Sequence, residues 1–219
     1  MEWGRETERN RVVRGMKLAI GDSNTQGVLG TTGWPDLSGS EDWVNLGLGT
    51  TTVKWWYQHP GRFPSEGAEV CTVMLGSVDA YKFSIDPIEW SLYYRSIAQR
   101  CKNAGADSVF FIGNPPQARL GVSDEGLAAT NAKLGVLREI QLDICEKVEW
   151  ISCEISIGDF GIDTHLMKDQ LHLTQAAQRE LQNRVLTAVP EPSSLALAAV
   201  VILSVLVWKF IKTTTDGEG

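Results

Sequence analysis

Three side chains have the types and spacing of a nucleophile, a base and the acid that orients the base. Ser23 follows Gly21 and Asp22 directly after a short apolar run, and Asp169 precedes His172 by three residues. A serine hydroxyl is a poor nucleophile until a base takes its proton, and histidine is the usual base near neutral pH. A carboxylate on the other ring nitrogen holds the required tautomer. The three residues together indicate nucleophilic catalysis, although each residue alone is more often a turn, surface or helix-capping residue.

Short apolar runs alternate with helical patterns along the chain, and these elements would have to position the three side chains. Short, continuous and often β-branched runs are typical of strands buried on both faces of a parallel sheet. The alternation predicts an α/β fold, a three-layer α/β/α sandwich with a parallel, flavodoxin-like sheet and right-handed crossovers. The predicted strands are residues 18–20, 43–46, 70–75, 109–112 and 148–151.

The helices between these strands show start signals and apolar spacing. Asp86 can cap a helix that begins at Pro87, and Thr174 can cap the last helix of the domain. The apolar positions predicted to face the core recur at helical spacing. They are Ile88, Leu92, Ile97 and Cys101 in one helix, Leu127, Leu134, Leu137, Ile140 and Ile144 in the next, and Ala177, Leu181 and Val185 in the last.

In a parallel sheet of this kind, reactive groups collect at the carboxyl ends of the strands. Ser23 directly follows the first predicted strand, and His172 lies in the long loop after the last one. We therefore expect the hydroxyl and the imidazole to meet at one edge of the sheet.

Four short blocks, in this order along the chain, resemble the motifs of the SGNH (GDSL-type) hydrolases over about residues 16–189. A strand followed by Gly-Asp-Ser comes first, then an Asn with a glycine-rich turn, then Gly-x-Asn-Asp, and finally Asp-x-x-His before a helix. The matching residues here are Gly21-Asp22-Ser23, Asn45 through Gly49, Gly76-Ser77-Val78-Asp79, and Asp169 with His172.

The resemblance implies a role for each matching residue. Ser23 would be the nucleophile, His172 the general base and Asp169 its orienting partner. The oxyanion hole would include the backbone N–H of Ser23 and that of Gly49, although an ungapped alignment puts Thr50 at the second position. A carboxylic ester, with its acyl or acetyl group on a lipid, a small molecule or a polysaccharide, would be cleaved through an acyl-enzyme, and no metal or organic cofactor is implied.

The third block departs from the family pattern at one position. Val78 stands where the family has an Asn whose side chain is the third oxyanion donor. Loss of one such donor costs on the order of 10²–10³ in rate. Asn24 and Asn114 follow neighbouring predicted strands and are candidates for a replacement amide. Alternative functions are a non-catalytic module that binds glycan or protein, and an O-acyltransferase that passes the acyl group to a sugar hydroxyl.

Other candidate groups have simpler interpretations. Asp163 and His165 form a second acid–histidine pair that could compete for the role of base. Aromatic residues near His59 could stack on a sugar or an acyl chain, but core packing is the favoured interpretation. The four cysteines lack the C-x-x-C spacing of a zinc site, and those on helices or strands are expected to be free and buried. The aromatic residues are Trp34, Trp55, Trp56 and Tyr57. The four cysteines are Cys71, Cys101, Cys145 and Cys153.

Composition limits the function classes further. The chain has 219 residues and a formal net charge of −7, with 43% hydrophobic and 21% charged residues. It is therefore expected to be globular, and its negative charge argues against a nucleic-acid partner. The first predicted strand is not followed by a G-x-G-x-x-G motif, so a nucleotide cofactor is not predicted.

The carboxyl end carries an apolar segment after Pro190 and Pro192. Nineteen residues from 193 to 211 would span about 28 Å as a helix, close to the ~30 Å hydrocarbon core of a bilayer. The Pro-Glu-Pro, the apolar run and the basic residues after it resemble a PEP-CTERM sorting signal, which implies an exosortase-type processing enzyme as a partner. We predict a transmembrane helix that contacts the membrane through residues 194–211. A buried C-terminal helix is the alternative.

The predicted organisation has four parts: a polar extension over residues 1–15, the hydrolase-type domain over 16–189, the Pro-Glu-Pro motif with its membrane segment over 190–212, and a polar tail over 213–219. The Arg-rich amino end lacks the apolar core of a signal peptide. The expected location is nevertheless membrane-anchored, at the cell envelope or surface.

Overall fold

A computed structural model describes residues 15–38, 42–118 and 121–189. The predicted amino-terminal extension and the predicted membrane segment lie outside the described residues, apart from Gly15. Among the described residues, no helix is both long enough and apolar enough to cross a membrane.

Five parallel strands form one sheet. Its spatial order, β2-β1-β3-β4-β5, is that of doubly wound α/β folds. The prediction of an α/β fold with a parallel sheet is therefore confirmed. The strands are β1 (Met16–Gly21), β2 (Trp43–Asn45), β3 (Ala68–Met74), β4 (Ser108–Phe111) and β5 (Ile151–Ser152). Because β1 lies between β2 and β3, the loops after these three strands are neighbours at the carboxyl edge of the sheet.

Seven helices accompany the sheet within the described residues. The three long ones are α4 (Pro87–Asn103), α5 (Asp124–Lys147) and α7 (Gln175–Ala188). As expected, the Asp86 carboxylate caps α4 by accepting the N–H groups of Ile88 and Glu89. The short helices are α1 (Ser23–Gln26), α2 (Val53–Gln58), α3 (Ser77–Lys82) and α6 (Ile162–His165).

The buried face of α4 differs from the predicted one. Ile97 and Cys101 are buried as expected, but Ile88 is 84% exposed and Leu92 is 55% exposed. Aromatic side chains of the same helix take the core-facing positions instead, and Tyr94 is fully buried. A large ring removes more apolar surface from water than an aliphatic side chain, so the aromatic residues decide the rotation of the helix.

One cysteine predicted to be free forms a disulfide. Cys145 at the end of α5 is joined to Cys153 just after β5. The expectation that Cys145 is free and inert is therefore wrong: the turn from α5 into β5 brings residues eight apart in sequence within bonding distance. Cys71 and Cys101 are free and buried, as predicted.

Candidate active site

Ser23, His172 and Asp169 lie in a hydrogen-bonded row at the carboxyl edge of the sheet. The Ser23 Oγ is 3.0 Å from His172 Nε2, and His172 Nδ1 is 2.6 Å from Asp169 Oδ2. With the ring proton on Nδ1 facing the carboxylate, Nε2 can accept the proton of the serine hydroxyl. The structure thus brings together the three residues that the sequence separates by up to 149 positions.

The Asp169 carboxylate is oriented by the turn that carries the histidine. Its Oδ1 accepts the N–H groups of Leu171 and His172, both at 3.1 Å, while its Oδ2 faces the imidazole. Partial burial raises the pKa of Asp169, but these hydrogen bonds outweigh burial and leave the pKa below its ordinary value. The carboxylate is therefore ionised near neutral pH and can stabilise a positive charge on the imidazole.

Ser23 is presented by a sharp turn at the end of β1. Asp22 caps α1 by accepting the Asn24 N–H at 3.0 Å, and the Ser77 hydroxyl donates to the other carboxylate oxygen. Gly21 is required here because a Cβ would lie 1.9 Å from Thr25 Oγ1 and 2.9 Å from the Met74 carbonyl oxygen. Complete burial raises the pKa of Asp22.

Asn24 connects the nucleophile turn to the histidine loop. Its side-chain oxygen accepts the Leu173 N–H at 2.9 Å, and its backbone carbonyl accepts Gln178 Nε2 at 2.8 Å. The same Gln178 accepts the Trp34 N–H at 3.0 Å. Asn24 therefore positions His172 relative to Ser23, a role that the sequence analysis did not assign to it.

The second block lies beside the nucleophile, but the N–H of Gly49 is already hydrogen-bonded. It donates to Gln26 Oε1 at 2.7 Å. A Cβ at Gly49 would lie 3.8 Å from the Ser23 Cβ, so this turn is in contact with the nucleophile. Thr50, the alternative donor from the ungapped alignment, has a positive φ of 65°.

The third block has a valine in place of the amide donor, followed by a buried acid. Val78 is half-buried in the first turn of α3. Asp79 is fully buried and accepts the Val53 N–H at 3.0 Å and the Trp90 indole N–H at 3.3 Å. Burial raises the pKa of Asp79 to about 6. Asp79 thus holds the start of α2 and the Trp90 side chain of α4 against α3.

The two asparagines considered as replacements make other hydrogen bonds. The Asn114 amide donates to the Leu75 carbonyl at 2.8 Å, and the Asn24 oxygen holds the histidine loop. A replacement amide from either residue therefore stays a prediction.

The competing groups are engaged elsewhere. His165 Nε2 is 3.2 Å from Glu180 Oε2, and its ring stacks on Phe160, so its acid neighbour is Glu180 and not Asp163. The His59 ring stacks on Trp55 at 4.0 Å. Trp34 and Trp56 are each 1% exposed, which agrees with core packing. Among the described residues, no three His, Cys, Asp or Glu side chains converge as metal ligands would.

Residues 19–180 match the model of the GDSL-like Lipase/Acylhydrolase family. The chain belongs to this family. The match covers 162 residues, from the middle of β1 into α7, and so includes Ser23, Asp169 and His172. No curated protein sequence matches the chain.

Solved structures with the same fold belong to other GDSL-family and esterase proteins. A carbohydrate acetylesterase from Sinorhizobium meliloti is 16% identical, with a TM-score of 0.59, over 78% of this chain and 96% of that one. An aryl esterase from M. smegmatis is 16% identical, with a TM-score of 0.60, over 80% and 100%. A GDSL-like lipase from Bacteroides thetaiotaomicron is 14% identical, with a TM-score of 0.61, over 80% and 87%. At these identities the similarity shows a shared fold.

Proposed function

We propose that this GDSL-family protein is a serine esterase that hydrolyses carboxylic esters. The single observation that carries the proposal is the row from Ser23 Oγ through His172 to the Asp169 carboxylate, with separations of 3.0 Å and 2.6 Å. Such an arrangement activates a hydroxyl, because the base is within reach of the proton and the acid holds the base in the correct tautomer.

The reaction proceeds in two halves. His172 Nε2 takes the Ser23 proton as Oγ attacks the ester carbonyl carbon, and backbone N–H groups stabilise the oxyanion. The intermediate collapses, the alcohol leaves with the proton from His172, and the acyl group remains on Ser23. His172 then takes a proton from water as the water attacks the acyl carbon. The second intermediate collapses, His172 returns the proton to Ser23 Oγ, and the carboxylic acid leaves.

The substrate class is an acyl or acetyl ester on a small molecule, a lipid or a polysaccharide. Two of the structurally similar proteins are an aryl esterase and a carbohydrate acetylesterase, so aryl esters and acetyl esters of carbohydrates are the first compounds to test. Transfer to a sugar hydroxyl instead of water would appear as acylated acceptor in product analysis.

The proposal is tested by covalent labelling of the full chain with a fluorophosphonate. Wild type and Ser65→Ala, which changes an exposed serine before β3, should label equally, whereas Ser23→Ala should not label. Wild type that reacts no faster than Ser23→Ala would refute the esterase and favour the non-catalytic binding module.

We further propose that the protein acts at the cell envelope, held by residues 194–211 and processed by an exosortase-type enzyme. The Cys145–Cys153 disulfide supports an oxidising compartment, because such bonds form and persist outside the reducing cytosol. Membrane fractionation with and without residues 190–219 tests the anchor. Recovery of both forms in the soluble fraction would refute it.

A further inference from the structure

The turn between β2 and α2 uses almost all of its backbone N–H groups internally. In this segment Thr50 is the residue whose N–H has no acceptor among the described residues, and its side chain is exposed. Every other N–H from residue 46 to residue 51 has a partner. The donors and acceptors are Leu46 to Ala19 O, Gly47 to Asn45 Oδ1, Leu48 to Gly21 O, Gly49 to Gln26 Oε1, and Thr51 to Leu48 O.

Thr50 also has an unusual backbone conformation. Its φ of 65° lies in the left-handed region, where a β-branched residue is rare. Such a conformation persists only when the surrounding contacts impose it, and it commonly marks functional sites. The contacts that impose it are the hydrogen bonds on either side, from Gly49 to Gln26 and from Thr51 to Leu48.

Gln26 connects this turn to the nucleophile. It lies three residues after Ser23 in α1, and its side-chain oxygen accepts the Gly49 N–H at 2.7 Å. The Gln26 carboxamide therefore joins this turn to α1, the helix that begins at Ser23. This side chain is neither a member of the triad nor part of the buried core. A Cβ on Gly49 would lie 3.0 Å from Gln26 Oε1 and 3.8 Å from the Ser23 Cβ, so the contact is made beside the nucleophile.

We infer that Gln26 is a positioning residue for the oxyanion hole. By accepting the Gly49 N–H it removes that group from the substrate and leaves the Thr50 N–H as the second donor to the oxyanion, beside the N–H of Ser23. This inference rests on the proposed esterase function and identifies which backbone group of the second block acts in it.

The test compares two substitutions at the exposed position 26. Gln26→Met keeps the length of the side chain but removes its carbonyl acceptor, whereas Gln26→Glu keeps an acceptor oxygen. We expect Gln26→Met to lower kcat for p-nitrophenyl acetate by about tenfold to hundredfold, because a misplaced donor loses much of its effect on the transition state. KM should change less than twofold, and Gln26→Glu should retain kcat within about threefold of wild type.

A second measurement uses a trifluoromethyl ketone, which forms a tetrahedral adduct with the serine. Its affinity should fall with kcat in Gln26→Met and recover in Gln26→Glu, because both depend on the oxyanion hole. Thermal unfolding should show both variants folded, and Gln26→Ala is the second truncation if Gln26→Met unfolds. Unchanged kcat in the truncated variants, or equal losses in Gln26→Met and Gln26→Glu, would overturn the inference. Failure of wild type to label at Ser23 would instead refute the esterase.

Discussion

Val78→Asn restores a side-chain amide at the position where the third block has none. Val78 is half-buried in the first turn of α3, immediately after Ser77, whose hydroxyl binds Asp22 beside the nucleophile. The site already contains the serine, the histidine and two candidate backbone donors. The substitution should therefore raise kcat and leave the mechanism unchanged.

The expected gain in kcat follows from the rate effect of one oxyanion donor and from the hydrogen bonds that the neighbouring Asn24 and Asn114 side chains already make. Removing one oxyanion donor from a serine hydrolase costs on the order of 10²–10³ in kcat, or about 3–4 kcal/mol. The Asn114 amide donates to the Leu75 carbonyl, and the Asn24 oxygen accepts from Leu173, so both side chains already have structural partners. An amide introduced at this half-buried position is not held in its donor geometry by evolved neighbours, so we expect a gain of about tenfold to hundredfold, less than the full value of one donor.

The assay is steady-state hydrolysis of p-nitrophenyl acetate by wild type, Val78→Asn and Val78→Leu. Leucine matches asparagine in size and lacks a donor, so the ratio of kcat between these two variants isolates the amide. A rise in kcat for Val78→Asn alone supports a functional but weakened oxyanion hole. Equal kcat in Val78→Asn and Val78→Leu, with both folded, would refute the reasoning.

Three other predictions concern the acids and the disulfide. Asp169→Asn should lower kcat by on the order of 10⁴ because the wrong histidine tautomer is held, whereas the control Asp163→Asn should not change it. Equal kcat values in steady-state assays would contradict the triad. Asp79 has its pKa raised to about 6, so the folded state binds more protons than the unfolded state between about pH 4 and pH 6, and its contribution to stability falls as pH rises through that range. Asp79→Asn lacks this loss, so urea titrations should show its free energy of unfolding gaining about 2 kcal/mol relative to wild type between pH 4 and pH 7. A constant difference would show that Asp79 does not titrate there. Reducing Cys145–Cys153, which are eight residues apart, should lower the free energy of unfolding by about 2–3 kcal/mol. Dithiothreitol should therefore lower the Tm of wild type but not that of the double Ser variant, and an unchanged Tm in wild type would argue against the bond.

The elements and the triad were predictable because the signals for them are local. Short buried strands have an apolar pattern that is readable within a few residues, and Asp86 caps α4 where its position predicts. Strand-end placement of Ser23 and His172 then follows from the rule that parallel strands present their carboxyl ends at one edge. The rotation of α4 was not predictable, because aliphatic and aromatic side chains compete for the same core and only packing decides between Leu92 and Tyr94.

The sequence by itself determined the fold class, the family and the candidate nucleophile, base and acid, since each is encoded by residue types at short spacing. The tertiary structure alone decided that Cys145 pairs with Cys153 and that Gln26 takes the Gly49 N–H. Whether a backbone N–H remains available to a substrate depends on which acceptors surround it. For Gly49 that acceptor is 23 residues away along the chain, a distance over which periodicity and propensity carry no information.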